Sequence, residues 1–582
     1  MNAKAAPLLG VLLVLLVAAD ASPLLPRHRF HRSGSAGARY NVVFILTDDQ
    51  RWDTADLTVD GQEIMPNVRA EMIEKGVQFT NAFVSTPLCC PDRASLLAGG
   101  YYAHNTGVLT NEGPNGGVEK FLEQIALPVR VRQAGYRTGL IGKYLNRYQA
   151  SSAYVPPGWS YFAAIRRSKS WFDYEMVIGR GAVDGPGEGR VEDQSDYLTD
   201  RLTELAVEFI ESGGDSPFFL YFTPVAPHEP ATPAPGDETL YPEFIYSGRG
   251  TGESDLRDKP AWVRELAARY DATQQAAFAR DQLRSLRSVD RSVAALVEAV
   301  RRKQMLDRTI FIYTSDNGYL WGEHGLSGKA YPYEESLRVP LIVRMPGVSP
   351  RREEKTVVTN VDIGATIHEA AGLNNVTDGA SLLPLLADSS TEWRTEFLIQ
   401  GHGGLRWSGI RAEMKGRTWK YVEHATGEKE LYDLNSDPFE MKSRHNEQGK
   451  SMREIRATLA KKLAAMRGLN IVSRLIPGVE AGAPYAFSIA TWGGRPPFRW
   501  AVSDGELPAG LGIDAALGTI SGTPEVPGMY SFRVRVEDSS VSPFSGRPQA
   551  YEQDFVIAVR QPGEKVSGPQ TYQAADTSGD QR

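Results

Sequence analysis

The sequence predicts an α/β protein with a large, mostly parallel central sheet flanked by helices, a small α+β C-terminal subdomain, and an all-β sandwich at the end. Three observations carry this. Four short apolar runs, Asn41–Asp48, Thr138–Lys143, Phe218–Pro224 and Thr309–Asp316, have the length and continuous hydrophobicity of strands buried on both faces. Helical patterns such as Leu202–Glu211 and Ser288–Arg302 fall between them, and strands alternating with helices give a parallel sheet. From about Ile476 the chain turns to short strands punctuated by Gly and Pro, the spacing of a sandwich.

At 582 residues the chain is too long for one typical domain, and a hydrophobic content of 41% supports a large core. The net charge of −7 excludes a general nucleic-acid binder, so an anionic substrate would need a local positive pocket. Met1–Ala21 reads as a secretory signal: Lys4, the apolar run Pro7–Ala18, then Ala19-Asp20-Ala21 at the cleavage site. That run is too short to span a bilayer, and no other segment is apolar enough. The expected location is therefore secreted or periplasmic, with no transmembrane span after signal cleavage. Residues 22–38 form a flexible lead-in, 39–386 the main domain, 387–470 the C-terminal subdomain with an amphipathic helix at Met452–Arg467, 476–562 the sandwich, and 563–582 a polar, disordered tail.

Each of the four apolar runs delivers polar groups at or just past its carboxyl end, where ligands bind in open α/β sheets. The groups are Asp48-Asp49, Lys143, Ala226-Pro227-His228 and Asp316-Asn317. Three carboxylates brought together repel, by roughly 4 kcal/mol for a pair at about 4 Å and an effective dielectric of about 20. A divalent cation reverses that sign, and an all-oxygen donor set suits calcium or magnesium rather than zinc.

The only two cysteines, Cys89 and Cys90, are adjacent. Neighbouring Cα atoms lie about 3.8 Å apart, short of the usual disulfide span of about 4.4–6.8 Å. They do not suit pairing with each other, which leaves a thiol for chemistry. Pro91 suits the first position of a helix, Arg93–Ala98 continues it, and Gly99-Gly100 stops it. Both cysteines then sit at a helix N-terminus, which favours a bound anion, with Arg93 adding a fixed charge.

Cys89-Cys90-Pro91-Asp92-Arg93 resembles the Cys-x-Pro-Ser-Arg signature of the formylglycine-dependent sulfatases of the alkaline phosphatase superfamily, and the resemblance extends over roughly residues 40–440. It implies that Cys89 is converted to formylglycine (3-oxoalanine) by a formylglycine-generating enzyme. It implies one calcium bound by Asp48, Asp49, Asp316, Asn317 and residue 89. Arg93 would act beside the nucleophile. Lys143 in Gly-Lys-Tyr, His228 in Ala-Pro-His and Lys329 in Gly-Lys-Ala match the family's sulfate contacts. His324, in Trp-Gly-Glu-His-Gly-Leu, and Asn146 are further substrate-binding candidates. Asn317 stands where the two-zinc phosphatase relatives place His.

Two features depart from the signature: Asp92 replaces Ser or Ala, and Ala98 and Gly100 stand in a segment that usually reads Leu-Thr-Gly-Arg. They keep open a catalytically inactive sulfatase-like glycan-binding protein. The same nucleophile would also serve a phosphonate or phosphate monoester hydrolase. Gly142-Lys-Tyr-Leu-Asn146, Val155-Pro-Pro-Gly-Trp159, Ser288-Val-Asp290 and Pro332-Tyr-Glu334 resemble the N-acetylglucosamine-6-sulfatase and heparan endosulfatase branch. That branch implies a sulfated carbohydrate substrate carrying a 6-O-sulfate. Glu430-Leu-Tyr-Asp-Leu and Asp437-Pro438 resemble an element of the sulfatase C-terminal subdomain. Residues 476–562 resemble Ig-like modules of exported bacterial proteins and carry no catalytic constellation; a separately folding module, dispensable for chemistry, is the expectation.

Overall fold

The computed structural model describes residues 39–148, 153–373, 377–471, 473, 476–543 and 545–562. The signal peptide (1–21), the lead-in (22–38) and the tail (563–582) lie outside the described residues. Among the described residues, the largest sheet has eleven strands: β1 Asn41–Thr47, β2 Val77–Phe79, β3 Arg137–Gly142, β4 Tyr154–Val155, β5 Tyr161–Ser170, β6 Asp173–Arg180, β7 Gly187–Gln194, β8 Phe218–Thr223, β9 Thr309–Ser315, β10 Leu341–Arg344 and β11 Arg351–Glu353. Their spatial order is β11-β2-β10-β9-β1-β8-β3-β5-β6-β7-β4.

The middle five, β9, β1, β8, β3 and β5, run parallel. All four apolar runs read from the sequence lie there, next to one another. Their register aligns the carboxyl ends: Thr47 faces Ser315 and Gly142 faces Thr223. The polar residues that follow therefore emerge in one row. Beyond β5 the sheet continues antiparallel through β6, β7 and β4, and β10 is antiparallel to both β9 and β2. The sheet is thus parallel at its centre and mixed overall. The antiparallel arm is half-exposed, its last long strand alternating in burial, so it lacks the continuous apolar signature of the central strands. Only two residues, Trp171 and Phe172, join β5 to β6, a link that permits an antiparallel neighbour and no other.

Five helices matter most to the site: α1 Cys89–Leu97, α2 Leu198–Glu211, α3 Ala272–Arg302, α4 Asn360–Ala370 and α5 Lys450–Met466. Side chains alternate across a strand, and β1 shows the result. Val42, Phe44 and Leu46 pack with Ala94 and Leu97 of α1 and Ile363 and Ile367 of α4. Val43 and Ile45 pack on the other face with Leu202 and Phe209 of α2 and Leu286, Val293 and Val297 of α3. The predicted helix at Ser288–Arg302 is the second half of α3. Its earlier half is capped by Asp271, whose side chain accepts from the backbone of Thr273 and Gln274.

Gly99 and Gly100 stop α1 as expected, with φ of +94° and +103°. Gly100 has a second duty, since a Cβ there would lie 2.3 Å from the Val361 carbonyl of α4. The C-terminal subdomain is a four-stranded antiparallel sheet, Glu396–His402, Arg406–Met414, Arg417–His424 and Lys429–Asp433, covered by Leu459 and Leu463 of α5. The sandwich sets a four-stranded sheet against a three-stranded one around Trp500, Phe532, Val534 and Ile557. That core is not closed on itself: Ala103 and Leu109 of the main domain are part of it. Among the described residues no helix is long and apolar enough to cross a membrane.

Candidate active site

The helix α1 begins two residues earlier than the sequence suggests. Leu88 is the extended cap and Cys89 the first helical residue, so Pro91 occupies the third position. This costs no hydrogen bond, because the first amide to reach an intrahelical carbonyl is that of Asp92, 3.1 Å from Leu88 O. The orphan amide of Cys90 donates instead to Asn111 Oδ1 at 2.9 Å. Both cysteines are free and buried.

The row of strand ends closes around Cys89. Its Sγ lies 3.4 Å from Asp48 Oδ1 and 3.0 Å from Lys329 Nζ. Asp48 Oδ2 accepts from Lys143 Nζ at 2.5 Å and Arg93 Nη2 at 3.2 Å. Arg93 also donates from Nε to Asp316 Oδ2 at 2.8 Å and from Nη1 to Lys143 O at 3.0 Å. Asp49 lies at φ +66°, so the chain turns immediately after β1 and consecutive carboxylates both reach the centre. Asp49 Oδ1 accepts from Lys329 Nζ at 2.5 Å and Asn317 Nδ2 at 2.7 Å. His228 Nε2 stands 3.8 Å from Asp49 Oδ2, while its Nδ1–H donates to Glu229 O at 2.9 Å.

Solvent reaches this cluster from one side. The side chains of Asp48 and Arg93 are 0% exposed, against 18% for Lys143, 16% for Lys329 and 23% for His228. Three basic side chains therefore ring the entrance, and the acids lie beneath them. Burial alone would raise the Asp48 carboxyl, but Lys143, His228, Arg93 and Lys329 together hold it well below the ordinary range. Asp316 is pushed the other way, by burial and by the charge of Asp48. Burial disfavours charge on both lysines, yet Asp48 for Lys143 and Asp49 for Lys329 keep them above their ordinary value and charged. The Cys89 thiol is driven up by burial and by Asp48, so as a thiol it stays neutral.

The residues fit a hard divalent cation. Ligand atoms of Asp48, Asp49, Cys89 and His228 all lie within 4.8 Å of one another. Asn317 turns its Nδ2 to Asp49 and to Gly318 O, which leaves its Oδ1 buried without a partner. A buried carbonyl oxygen with no donor, on a residue bonded to Asp49, is what a cation would complete. Asp316 joins through Arg93 and through the Asp49 amide, 3.3 Å from its Oδ1.

Of the expected site residues, Cys89, Arg93, Lys143, His228, Lys329, Asp48, Asp49, Asp316 and Asn317 come together. Asn146 lies at the edge: its backbone carbonyl accepts from Val118 at 3.0 Å and its Oδ1 is buried without a partner. His324 stands apart, 0% exposed, with Nδ1 2.6 Å from Glu253 Oε2 and its ring on Tyr333. Asp92 does not face Cys89. It accepts from Asn360 Nδ2 at 2.7 Å, beside a cavity of about 10 Å³ lined also by Thr314 and Ser315. The replacement of the signature's Ser thus falls on the back of the helix. Asn111 and Asn360, which hold the two sides of α1, had no signal in the sequence beyond a turn-rich stretch around Asn111.

Three family models match the chain: Sulfatase over residues 40–373; N-sulphoglucosamine sulphohydrolase, C-terminal, over 322–468; and an Ig domain over 470–552. The chain is 35% identical over 384 residues to a homolog of the extracellular sulfatase Sulf-1 from Caenorhabditis elegans, covering 62% of this chain and 52% of that protein. It thus spans about half the length of that relative. It is also 35% identical over 390 residues to N-acetylglucosamine-6-sulfatase from Homo sapiens, covering 63% of this chain and 68% of that one. A solved structure of a protein in complex with its substrate D-glucosamine-2-N,6-O-disulfate shares the fold, with a TM-score of 0.60 at 24% identity over 73% of this chain and 97% of that one. The chain belongs to the sulfatase family of sulfuric ester hydrolases.

Proposed function

We propose that the chain hydrolyses the 6-O-sulfate of N-acetylglucosamine or a related sulfated glycan, with Cys89 converted to formylglycine and one calcium held by Asp48, Asp49, Asp316, Asn317 and residue 89. The observation that carries this is the position of Cys89: at a helix start, wholly buried, between Asp48 and Lys329, beneath an entrance ringed by three basic side chains. Formylglycine at residue 89 would supply, once hydrated, an oxygen nucleophile and a means of releasing sulfate that a neutral thiol lacks. Calcium, held by those residues, would supply Lewis-acid charge at the site.

The chain's own residues do the rest. Lys143 and Lys329 approach residue 89 from two sides and direct ammonium protons at the sulfuryl oxygens. Arg93 fixes Asp48 and Asp316 in one arrangement through two donors, and a third holds the Lys143 carbonyl. His228 is oriented by its Nδ1–H on Glu229 O, so its Nε2 is the atom that carries a proton to the departing alcohol oxygen. In the net reaction water adds across the ester S–O bond, giving alcohol and inorganic sulfate.

The substrate rests on the resemblance of Gly142–Asn146 and the other quoted segments, and on the identity to an N-acetylglucosamine-6-sulfatase. Conversion of Cys89 needs a formylglycine-generating enzyme in the host. A secreted or periplasmic location follows from the reading of Met1–Ala21 and agrees with the extracellular relative.

The test is protein from its native host. Peptide mass analysis should find formylglycine at 89 and an intact Cys90. Glucosamine 6-sulfate, galactose 6-sulfate, 2-O-sulfated uronate, choline sulfate and an aryl phosphonate are then offered side by side. Preference for glucosamine 6-sulfate is expected. Full activity with a thiol at 89 would sink the mechanism. Preference for the phosphonate would make the chain a phosphonate hydrolase, and binding of sulfated glycan without turnover would make it a binding protein.

A further inference from the structure

The C-terminal module meets the main domain along the segment that follows α1. Asn115 pairs with Glu552 of strand Pro548–Arg560 as a strand neighbour would: its Nδ2 donates to Glu552 O at 2.5 Å and its Oδ1 accepts from Glu552 N at 2.8 Å. Lys120 Nζ reaches Glu552 Oε2 at 3.1 Å. Ten residues earlier, Asn105 O accepts from Ser542 Oγ at 2.6 Å, and Leu109 enters the module's core.

The other side of the same segment touches Cys90, the residue next to the nucleophile. The backbone carbonyl of Asn115 accepts from Leu109 N at 2.7 Å and Thr110 N at 3.2 Å, closing a loop over 109–117. That loop carries Asn111, whose Oδ1 takes the Cys90 amide at 2.9 Å. Its last residue, Gly117, donates its backbone N–H to Thr110 O at 3.4 Å. The next residue, Val118, donates to Asn146 O at 3.0 Å, three positions past Lys143. A continuous set of hydrogen bonds thus runs from Glu552 through Asn115 to the start of α1 and the turn after Lys143.

We infer that the Ig-like module is a brace for the active site: it holds loop 109–117 so that Asn111 fixes the first turn of α1 and the Lys143–Asn146 turn keeps its place. Asn115 and Asn111 are positioning residues, acting through Cys90 and Asn146 on Cys89 and Lys143. The effect on turnover rests on the sulfatase activity proposed above; the effect on α1 does not. A separate anchor of the module, Arg406 Nη1 to Gln553 Oε1 at 2.8 Å, joins the small sheet and bypasses the loop.

The test compares full-length variants by amide exchange of the peptide spanning 88–97 and by steady-state kinetics on a small aryl sulfate. Asn115→Asp keeps shape and the acceptor for Glu552 N, but sets a carboxylate against Glu552 O; Asn115→Ala removes both bonds. Both should speed exchange at the start of α1. Both should lower kcat by about tenfold with KM within about twofold, since misplacement of a reacting group is felt in turnover. In an Asn111→Ala background the Asn115 variants should add nothing further, because the route already stops there. Gln553→Ala should leave exchange and kcat at the wild-type level. Unchanged exchange in both Asn115 variants overturns the brace, as does full additivity with Asn111→Ala, or an equal loss from Gln553→Ala. If no sulfate ester is turned over, the exchange result still decides the brace, so the two readings fail separately.

Discussion

Arg93 Nε lies 2.8 Å from Asp316 Oδ2 with both side chains wholly buried, and the same guanidinium reaches Asp48 Oδ2 at 3.2 Å. One cation therefore spans the ends of β1 and β9, and no point charge can replace its fork. Arg93→Lys should satisfy one carboxylate at most. Arg93→Ala leaves two buried acids without that partner, which costs about 3–5 kcal/mol when a buried pair is broken. Activity of either variant should fall by at least about a hundredfold. Urea unfolding alongside kinetics checks both effects; a Lys variant with wild-type kcat would remove Arg93 from the site's framework.

The orphaned Asn317 Oδ1 gives a direct metal test. Calcium should raise the Tm of wild-type protein above that of chelator-treated protein. Asn317→Ala should lower calcium affinity by about 10–100-fold, the range seen when a metal site loses a supporting polar group. Asp316→Ala should abolish the Tm increment. Stoichiometric zinc in protein purified without added metal would overturn the oxygen-donor argument.

Asp92 makes a pH-dependent prediction. Burial first, then the charge of Asp316, raises its carboxyl well above the ordinary 3.8, against the lowering effects of Arg93 and the Asn360 hydrogen bond. A raised acid favours the fold while protonated in both states, below about pH 3.8. It loses that contribution as pH rises toward its folded pKa, because the unfolded chain ionises first. Asp92→Asn keeps the shape and removes the titration. Its Tm should exceed that of wild type by a margin that widens from pH 4 upward, and parallel melts from pH 4 to 8 read it. A constant difference would mean that Asp92 is ionised in place.

Gly100→Ala should destabilise the protein by about 3 kcal/mol, at the upper end of ordinary substitutions. The new Cβ would meet backbone of α4 at 2.3 Å and the residue sits at φ +103°. Gly113→Ala, at φ +76° with nothing within 4 Å, isolates the conformational part and should cost about 1 kcal/mol. Equal losses from the two would remove the close approach of α1 and α4 as the cause.

The four central strands were legible because strands buried on both faces leave unbroken apolar runs, and their polar tails marked the site. The arm of β5 to β7 was not, since β5 is buried only over residues 162–164 and β7 alternates in burial with its charges half-exposed or exposed. The first half of α3 escaped for another reason: its inward face carries the buried polar side chains Gln275, Gln282 and Ser285, which interrupt the apolar stripe. Asn111 could not be found from spacing, because it caps Cys90 from a loop 21 residues away. The docking of the module was illegible too. Its contacts include an asparagine imitating backbone and two apolar side chains, Ala103 and Leu109, with no pattern of their own. The expectation of an independent module therefore meets a shared core.

The register that aligns Thr47 with Ser315 and Gly142 with Thr223 divides what can change in this protein from what cannot. A slip of one residue in β1 would send every side chain to the opposite face and carry Asp48 off the row. Insertions are thus confined to the connections. The longest without a strand or helix of its own runs from His228 to the helix at Ala261, and it leaves from the site itself. Substrate preference can drift there over generations while the residues at the strand ends stay keyed to the ladder.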